Sequence, residues 1–335
     1  MTQASLSHRT GEQLVLGAAV GYSAEQLTPF LGSLRVSGYK GDIALVVDRE
    51  SVETLRQSRM LEGVALIPVR YWGSCRAPIT HKKNLRSLAW LPLHFSGWLA
   101  LRMASMGLLG RARAASSVIE WAQSCSHPIM SRHFHYREYL REHPYRRVLL
   151  SDVRDVLFQT NPFDHLPHDG LAVSLESGYT LAEEYWNSGW VRITYGASTL
   201  RAIGHNPVSC AGVTYGDGAS ICRYLDLLLS ELYALSFRAN LTAGDQGVHN
   251  VLLWTGRLGA FTPLPTFDSP VATLNEVGAE KLRFDAQGRL LNHDGTPVSI
   301  IHQYDRHANL ASRLLESISA RARARASASA SAVQG

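Results

Sequence analysis

Arg147-Val-Leu-Leu-Ser-Asp-Val-Arg-Asp-Val-Leu-Phe158 carries more structural information than any other stretch of this chain. Its apolar run, Val148 to Leu150, reads as a buried strand of a parallel sheet. The run ends in two carboxylates, Asp152 and Asp155, with Arg154 between them, and a second apolar run follows. In open α/β sheets, ligands bind outside the carboxyl ends of the strands. Two acids at such an end offer hard oxygen ligands to a divalent cation, which can in turn hold phosphate oxygens. A pair of turn-capping acids has the same local signature, so the flanking sequence has to be weighed with it.

Working outward, Leu14 to Val20 reads as a short apolar strand ending in Gly21-Tyr22. Ser23 and Gln26 have the spacing of a capping box for the next helix, Ala24 to Val36. Leu27, Phe30, Leu31 and Leu34 recur along it at helical spacing, and Gly38 stops it. A strand over Asp42 to Asp48, a helix near Val52 to Arg59 and a strand over Val64 to Val69 follow. This order implies a parallel, right-handed unit with Tyr22 and Asp48 on its ligand edge. Further strands are expected at Leu171 to Leu175, Trp190 to Thr194, Ser209 to Thr214 and Val298 to Ile301. Helices are expected at Arg132 to Glu142 and Ala219 to Leu235, and a hairpin at Leu282 to Leu291, turning at Asp285 to Gly288. The fold class is therefore α/β: a Rossmann-like, mostly parallel central sheet flanked by helices. A helical insertion occupies about 72–130. Residues 1–12 read as a flexible N-terminus and 13–316 as one domain. The alternating Ala, Arg and Ser of 317–335 read as a disordered tail.

Composition narrows the classes. The chain has 335 residues, 45% hydrophobic and 18% charged, enough for one large α/β domain or two modest ones. Its net charge of +5 includes Arg321, Arg323 and Arg325, and falls to about +2 without them. With no basic helix and no Cys/His zinc spacing, nucleic acid is not an expected partner. Cys75, Cys125, Cys210 and Cys222 have no paired spacing and read as reduced thiols of a cytoplasmic protein. Met1 to Arg9 lacks the apolar core of a secretory signal. Leu88 to Leu109 is rich in Leu, Trp and Met but carries Pro92, His94 and Arg102. Arginine at a helix centre is costly in hydrocarbon, so the segment reads as a groove-lining helical insertion. Arg111 and Arg113 follow it, which leaves room for a peripheral contact at the inner membrane face. The cluster His81 to Arg86 reads as a solvated face.

Two more islands join the acidic strand: Gly244-Asp-Gln-Gly-Val-His-Asn250 and His302-Gln-Tyr-Asp305. In this order the chain resembles nucleotide-diphosphosugar glycosyltransferases of the GT-A fold, from about Leu14 to Leu310 outside the insertion. Val148 to Phe158 resembles their strand plus acidic metal motif. Ser209 to Thr214 is similar to the small-residue strand lining their sugar pocket, and Asp245-Gln-Gly to the corresponding element of glycogenin-like transferases. His302 falls where such enzymes place a late metal-binding histidine. The spacing departs from the family's Asp-x-Asp: here it is Asp-x-x-Asp, and which of Asp152 and Asp155 contacts the metal stays open at this point.

The resemblance implies a metal-dependent transfer of a sugar from a nucleotide-diphosphosugar to a glycan, lipid-linked or protein acceptor. Asp152, Asp155 and His302 would hold Mn²⁺ or Mg²⁺, the imidazole shifting the preference toward Mn²⁺. Such an ion stabilises the diphosphate leaving group as a Lewis acid. Asp245 and Gln246 are the expected catalytic pair. Asp245 would stabilise an oxocarbenium-like transition state in a retaining reaction, the expected outcome, or act as general base in an inverting one. Ala18, Tyr22, Asp48, Arg132, Arg154, Ala211 and Gly212 are expected around the nucleotide-sugar, with Gly212 letting the sugar approach the backbone. Asn187 and Trp190 are expected at the acceptor, and Arg137 in a structural ion pair. Two other readings stand beside this one. One is a non-catalytic nucleotide-sugar-binding module of the same fold. The other is a different metal-dependent phosphate enzyme, such as a nucleotidyltransferase, although Gly17 to Gly21 makes a poor phosphate loop. An aspartate-nucleophile phosphatase would need its acids after an earlier strand.

Overall fold

The computed structural model describes residues 11–72, 91–109, 113–242, 244–275, 277–306 and 308–333. Strands β1 (Gly11–Ala18), β2 (Asp42–Asp48) and β3 (Val64–Val69) alternate with helices α1 (Ala24–Val36) and α2 (Val52–Arg56). Three helices follow, α3 (Leu91–Ser105), α4 (Arg113–Ser124) and α5 (Pro128–Glu142). Then come β4 (Tyr145–Ser151), β5 (Val156–Phe158), β6 (Leu171–Thr180), α6 (Tyr185–Ile203), β7 (Pro207–Asp217) and α7 (Gly218–Ala234). Helices α8 (Phe237–Thr242) and α9 (Asp245–Trp254) precede β8 (Phe261–Pro265), β9 (Val271–Thr273), β10 (Ile300–His302) and α10 (Ala308–Val333).

The main sheet has seven strands in the order β3-β2-β1-β4-β7-β6-β8. Only β7 runs against the others: β1, β2, β3 and β4 pair in parallel, as do β6 and β8, while β4 and β6 each pair antiparallel with β7. This is the mostly parallel, helix-flanked α/β sheet that the alternating elements imply. On one face α5, α7 and α9 bury Tyr136, Leu140, Leu225, Leu228 and Leu252 against Leu14, Leu16, Val148 and Leu150. On the other, α1 buries Leu27, Phe30, Leu31 and Leu34 against Val15, Leu45 and Leu149. The alternation of Leu14 and Leu16 with Val15 follows from the two-residue period of a strand covered on both sides.

Ser23 caps α1 in the expected capping box with Gln26. A second, three-stranded sheet, β5-β10-β9, lies beside the first and has its own core with α10, including Leu310, Leu314 and Ile318. It fixes the site, because β10 pairs antiparallel with β5 and sets His302 opposite Val156.

Five expectations meet a different arrangement. Trp190 to Thr194 is not a strand: it lies within α6, which Glu184 caps by accepting from the Trp186 and Asn187 amides. The helix after β2 stops at Arg56. The hairpin at Leu282 to Leu291 is reduced to the single bridge Phe284 to Leu290 around the Asp285 turn. After Ser317, where a disordered tail was expected, α10 continues to Val333; Ile318 is buried, and the Arg321 guanidinium donates to the Gln159 carbonyl at 2.7 Å. Arg321 in this alanine-rich helix reaches back to the residue that follows β5, which composition alone does not reveal. At the other end, β1 begins at Gly11, where a flexible segment to residue 12 was expected.

Candidate functional site

β4 ends at Ser151, and the chain turns through Asp152 to Asp155 before β5. The Asp152 amide donates to the Gly212 carbonyl of β7 at 2.7 Å, holding the turn against the sheet. His302 ends β10, and the next residue, Gln303, adopts a left-handed φ of 58°. Such a conformation is uncommon outside glycine and persists where its surroundings determine it. Here the Gln303 amide donates to the Asp155 carbonyl at 2.7 Å, tying the two loops together.

These two ties bring residues 150 positions apart into one cluster. His302 Nε2 is 3.7 Å from Asp152 Oδ2 and 3.8 Å from Asp155 Oδ1. One ligand atom from each of the three residues lies within 4.8 Å of the others. Both distances exceed a hydrogen bond, and neither His302 ring nitrogen has a hydrogen-bond partner although the side chain is 1% exposed. Buried polar atoms are normally paired. Two carboxylates and an imidazole at these separations fit ligands around one divalent ion, whose bonds run about 2.0–2.3 Å. Asp155 and His302 are buried and Asp152 is part-exposed, so the cluster opens on the Asp152 side.

Electrostatics separates the two acids. Burial alone would raise the Asp152 carboxyl, but Arg132 and His302 outweigh it and hold it at about 2. Burial raises the Asp155 carboxyl, His302 opposes this, and the nearby Asp152 charge adds to it. Arg154 (3.5 Å) and Arg306 (3.9 Å) flank Asp155, and Arg154 also pairs with Asp305 at 3.2 Å.

Gly212 is needed here for a different reason from the one expected. A Cβ on it would lie 2.5 Å from His302 Cε1 and 2.7 Å from Asp152 Oδ2. Its bare face is filled by Asp152 and His302, not left open for a sugar. Ala211, beside it, is buried.

Asp245 forms a second, separate constellation. As first residue of α9 it receives Arg132 Nη2 at 2.7 Å and His133 Nε2 at 2.8 Å on one oxygen, and the Gln246 amide at 2.9 Å on the other. Arg132 also donates to Asp152, so one part-buried guanidinium joins the two constellations. Burial would raise the Asp245 carboxyl, but Arg132 and His133 together drive it far below the usual carboxylate range. Gln246 is equally engaged. Its amide donates to Asn187 (3.1 Å) and Glu176 (3.3 Å), and its oxygen accepts from the Ala211 amide (3.4 Å) and the Cys210 thiol (3.3 Å). The Asn187 side chain is buried and donates to Glu184 at 2.7 Å. Trp190 packs over Gly244 and Gly247.

The remaining expected residues divide. Ala18, Tyr22 and Asp48 lie at the ends of β1 and β2, on the edge where β4 delivers Asp152. The buried Asp48 carboxylate accepts from the Gly21 amide, pinning the β1 turn. The Tyr22 hydroxyl is pushed up by burial and feels the charges of Arg154, Asp152 and Asp155. Arg137 lies apart, in a part-exposed pair with Asp226 at 2.6 Å. His81 to Arg86 and Cys75 fall outside the described residues, while Cys125, Cys210 and Cys222 form no disulfide with one another.

Two members of the site had no readable signal. His133 sits inside a run of charged and aromatic residues. Glu176 lies where β6 slips register against β7, between Leu175 and Thr180. Its carboxyl is raised by burial, partly offset by His302. No protein-family model and no curated protein matches the chain.

Proposed function

We propose that this protein is a GT-A-like, metal-dependent glycosyltransferase that uses a nucleotide-diphosphosugar donor. The observation that carries the reading is the Asp152–Asp155–His302 cluster. It unites the end of a central parallel strand with a distant second sheet, and it leaves a buried imidazole without hydrogen-bond partners. Mn²⁺ or Mg²⁺ held by these three residues would supply charge neutralisation for the departing nucleoside diphosphate. Asp155 and His302 are the buried ligands, and Asp152 is the one facing the donor.

The chain's own groups divide the remaining work. Arg132 is held rigid by two carboxylates and adds a fixed positive charge beside the cluster. Arg154, beside Asp155, and Tyr22, which feels the charges of both acids, are our candidates to meet diphosphate oxygens or the nucleoside. Asp245 is fully engaged and strongly acidic, which suits it to holding Arg132 rather than to taking a proton. Gln246 holds Glu176 and the Ala211 backbone. Glu176, a carboxylate with a raised proton affinity close to His302, is the acid best placed to exchange a proton or steady a developing positive charge at the sugar. The acceptor side is the aromatic start of α6. There Tyr185 and Trp186 are exposed and their rings meet edge to face at 5.3 Å. Exposed aromatic faces suit stacking on sugar rings.

A thermal-shift panel tests this directly, using UDP-, GDP- and other nucleotide-sugars with and without Mn²⁺. A ligand that binds only the folded state raises the melting temperature. The expected result is stabilisation by one nucleotide class that requires Mn²⁺ and disappears in Asp155→Asn. Metal-independent nucleotide binding would favour the non-catalytic module, and no response to any donor would overturn the reading.

A further inference from the structure

Leu91, Phe95 and Leu99 recur every fourth residue along α3 and are all more than a third exposed. Met106 and Leu108 continue the apolar surface beyond the end of the helix at 55% and 64% exposure. Trp72, Trp121 and Ile129, around the same helices, are exposed too. Eight of the twelve exposed large hydrophobic residues among those described fall between Trp72 and Ile129. This surface is rigidly backed. Gly97 lets α3 approach α4 so closely that a Cβ there would lie 2.7 Å from Cys125 Cβ. Trp98 donates to the Leu235 carbonyl at 2.7 Å, and Phe95 packs edge-on against Phe237 at 5.2 Å. The apolar side chains are presented by a packed scaffold.

The charge pattern of the same region is one-sided. Residues 63–119 contain eight Lys or Arg and no Asp or Glu. Since the whole chain is +5, this stretch supplies +8 and leaves −3 for everything else. A stretch of sequence that combines exposed apolar side chains with basic residues and has no carboxylate matches an anionic lipid–water interface, where Trp, Phe and Leu enter the headgroup boundary and Lys and Arg meet lipid phosphates. Among the described residues no helix is long and apolar enough to cross a membrane. An acidic protein partner would answer the charge but not the breadth of the apolar face.

We infer that the α3 surface, from Leu91 to Leu108, docks this protein on an anionic bilayer, lying on it and not spanning it. The inference does not depend on the transferase reading. Phe237, which packs against Phe95, starts the short segment that leads to Asp245.

The test is co-sedimentation of the full-length protein with vesicles of phosphatidylglycerol and phosphatidylcholine, against vesicles of phosphatidylcholine alone. The expected result is binding only to the anionic vesicles, reduced at high salt. Leu99→Glu with Leu108→Glu should abolish it. Lys82→Glu with Lys83→Glu should weaken it at least about tenfold, each basic residue near the surface contributing several-fold. The melting temperature and the Mn²⁺ response of these variants should match the parent, which separates loss of docking from loss of fold or of the metal site. Equal sedimentation of parent and variants would overturn the inference, as would absence of binding to anionic vesicles. A dimer in solution that Leu108→Glu dissolves, without any vesicle binding, would assign the face to a second copy of the chain instead.

Discussion

Two groups of buried acids and histidines sit a few ångströms apart in this molecule and are built in opposite ways. Around Asp245 every oxygen is used: Arg132, His133 and the Gln246 amide all donate to it within 2.9 Å. Around Asp155 and His302 the partners stand back at 3.7–3.8 Å, and both imidazole nitrogens lack a hydrogen bond. The first arrangement is complete without a ligand and has the form of a structural ion network. The second has the spacing of ligands that share a cation. The contrast suits Asp245 to a positioning role and, under the proposed function, leaves metal binding to Asp152, Asp155 and His302.

The largest way to break this contrast is to remove one member of the complete network. Arg132→Ala should destabilise the fold by about 3–5 kcal/mol in chemical denaturation, because it strands the buried Asp245 charge and leaves Asp152 unpaired. Asp245→Ala should cost a similar amount by stranding Arg132. If either variant were as stable as the parent, the network would not be structural.

Gly212→Ala comes next. The added methyl meets His302 and Asp152 at 2.5–2.7 Å, so a cost of about 1–3 kcal/mol is expected, together with a weakened Mn²⁺ response. Equal stability with a full Mn²⁺ response would show that the glycine is there for a ligand after all.

Acid titration sharpens the comparison. The Asp152 carboxyl is lowered from 3.8 to about 2, and that of Asp245 is lowered further. Groups depressed in the folded state contribute stability that is present above the unfolded value and lost as pH falls through the folded one. Stability should therefore decline between about pH 4 and pH 2. Asp155 is raised and acts in the opposite sense, favouring the fold at low pH. Asp155→Asn should consequently show a steeper loss in acid than the parent, read by denaturant midpoints across that range. An unchanged or shallower loss would contradict the assignment. The smallest effect is expected from Arg137→Ala, whose part-exposed pair with Asp226 is worth no more than about 1 kcal/mol and should leave the Mn²⁺ response untouched.

Much of this architecture was legible because it is local. Apolar runs bounded by capping residues mark β1, α1, β2 and β4, and an acid directly after a buried strand marks the ligand edge. Asp152, Asp155 and His302 were grouped only through the resemblance of their order to that of GT-A transferases, since residues 150 positions apart show no spacing. What escaped was set by tertiary context. Trp190 to Thr194 has the composition of a strand, but the Glu184 cap starts a helix ahead of it. Glu176 entered the site through a register slip, and His133 through a helix face that packing alone selects. Gly212 was expected to let a sugar approach the backbone; that Asp152 and His302 fill its bare face was not foreseen, because the second sheet that delivers His302 was visible only as one short apolar run. The helix over the Ala/Arg/Ser segment depends on contacts such as Arg321 with Gln159, which composition hides.

The most direct test of the contrast is a Mn²⁺ titration followed by electron paramagnetic resonance, in the presence of UDP or GDP, on the parent, Asp155→Asn and Asp245→Asn. The parent should bind one ion. Asp155→Asn should weaken that binding by at least about 100-fold, more than the loss of an outer partner does. Asp245→Asn, where it remains folded, should retain it within about tenfold. If Asp155→Asn bound Mn²⁺ like the parent while Asp245→Asn lost it, the two constellations would have been assigned the wrong way round.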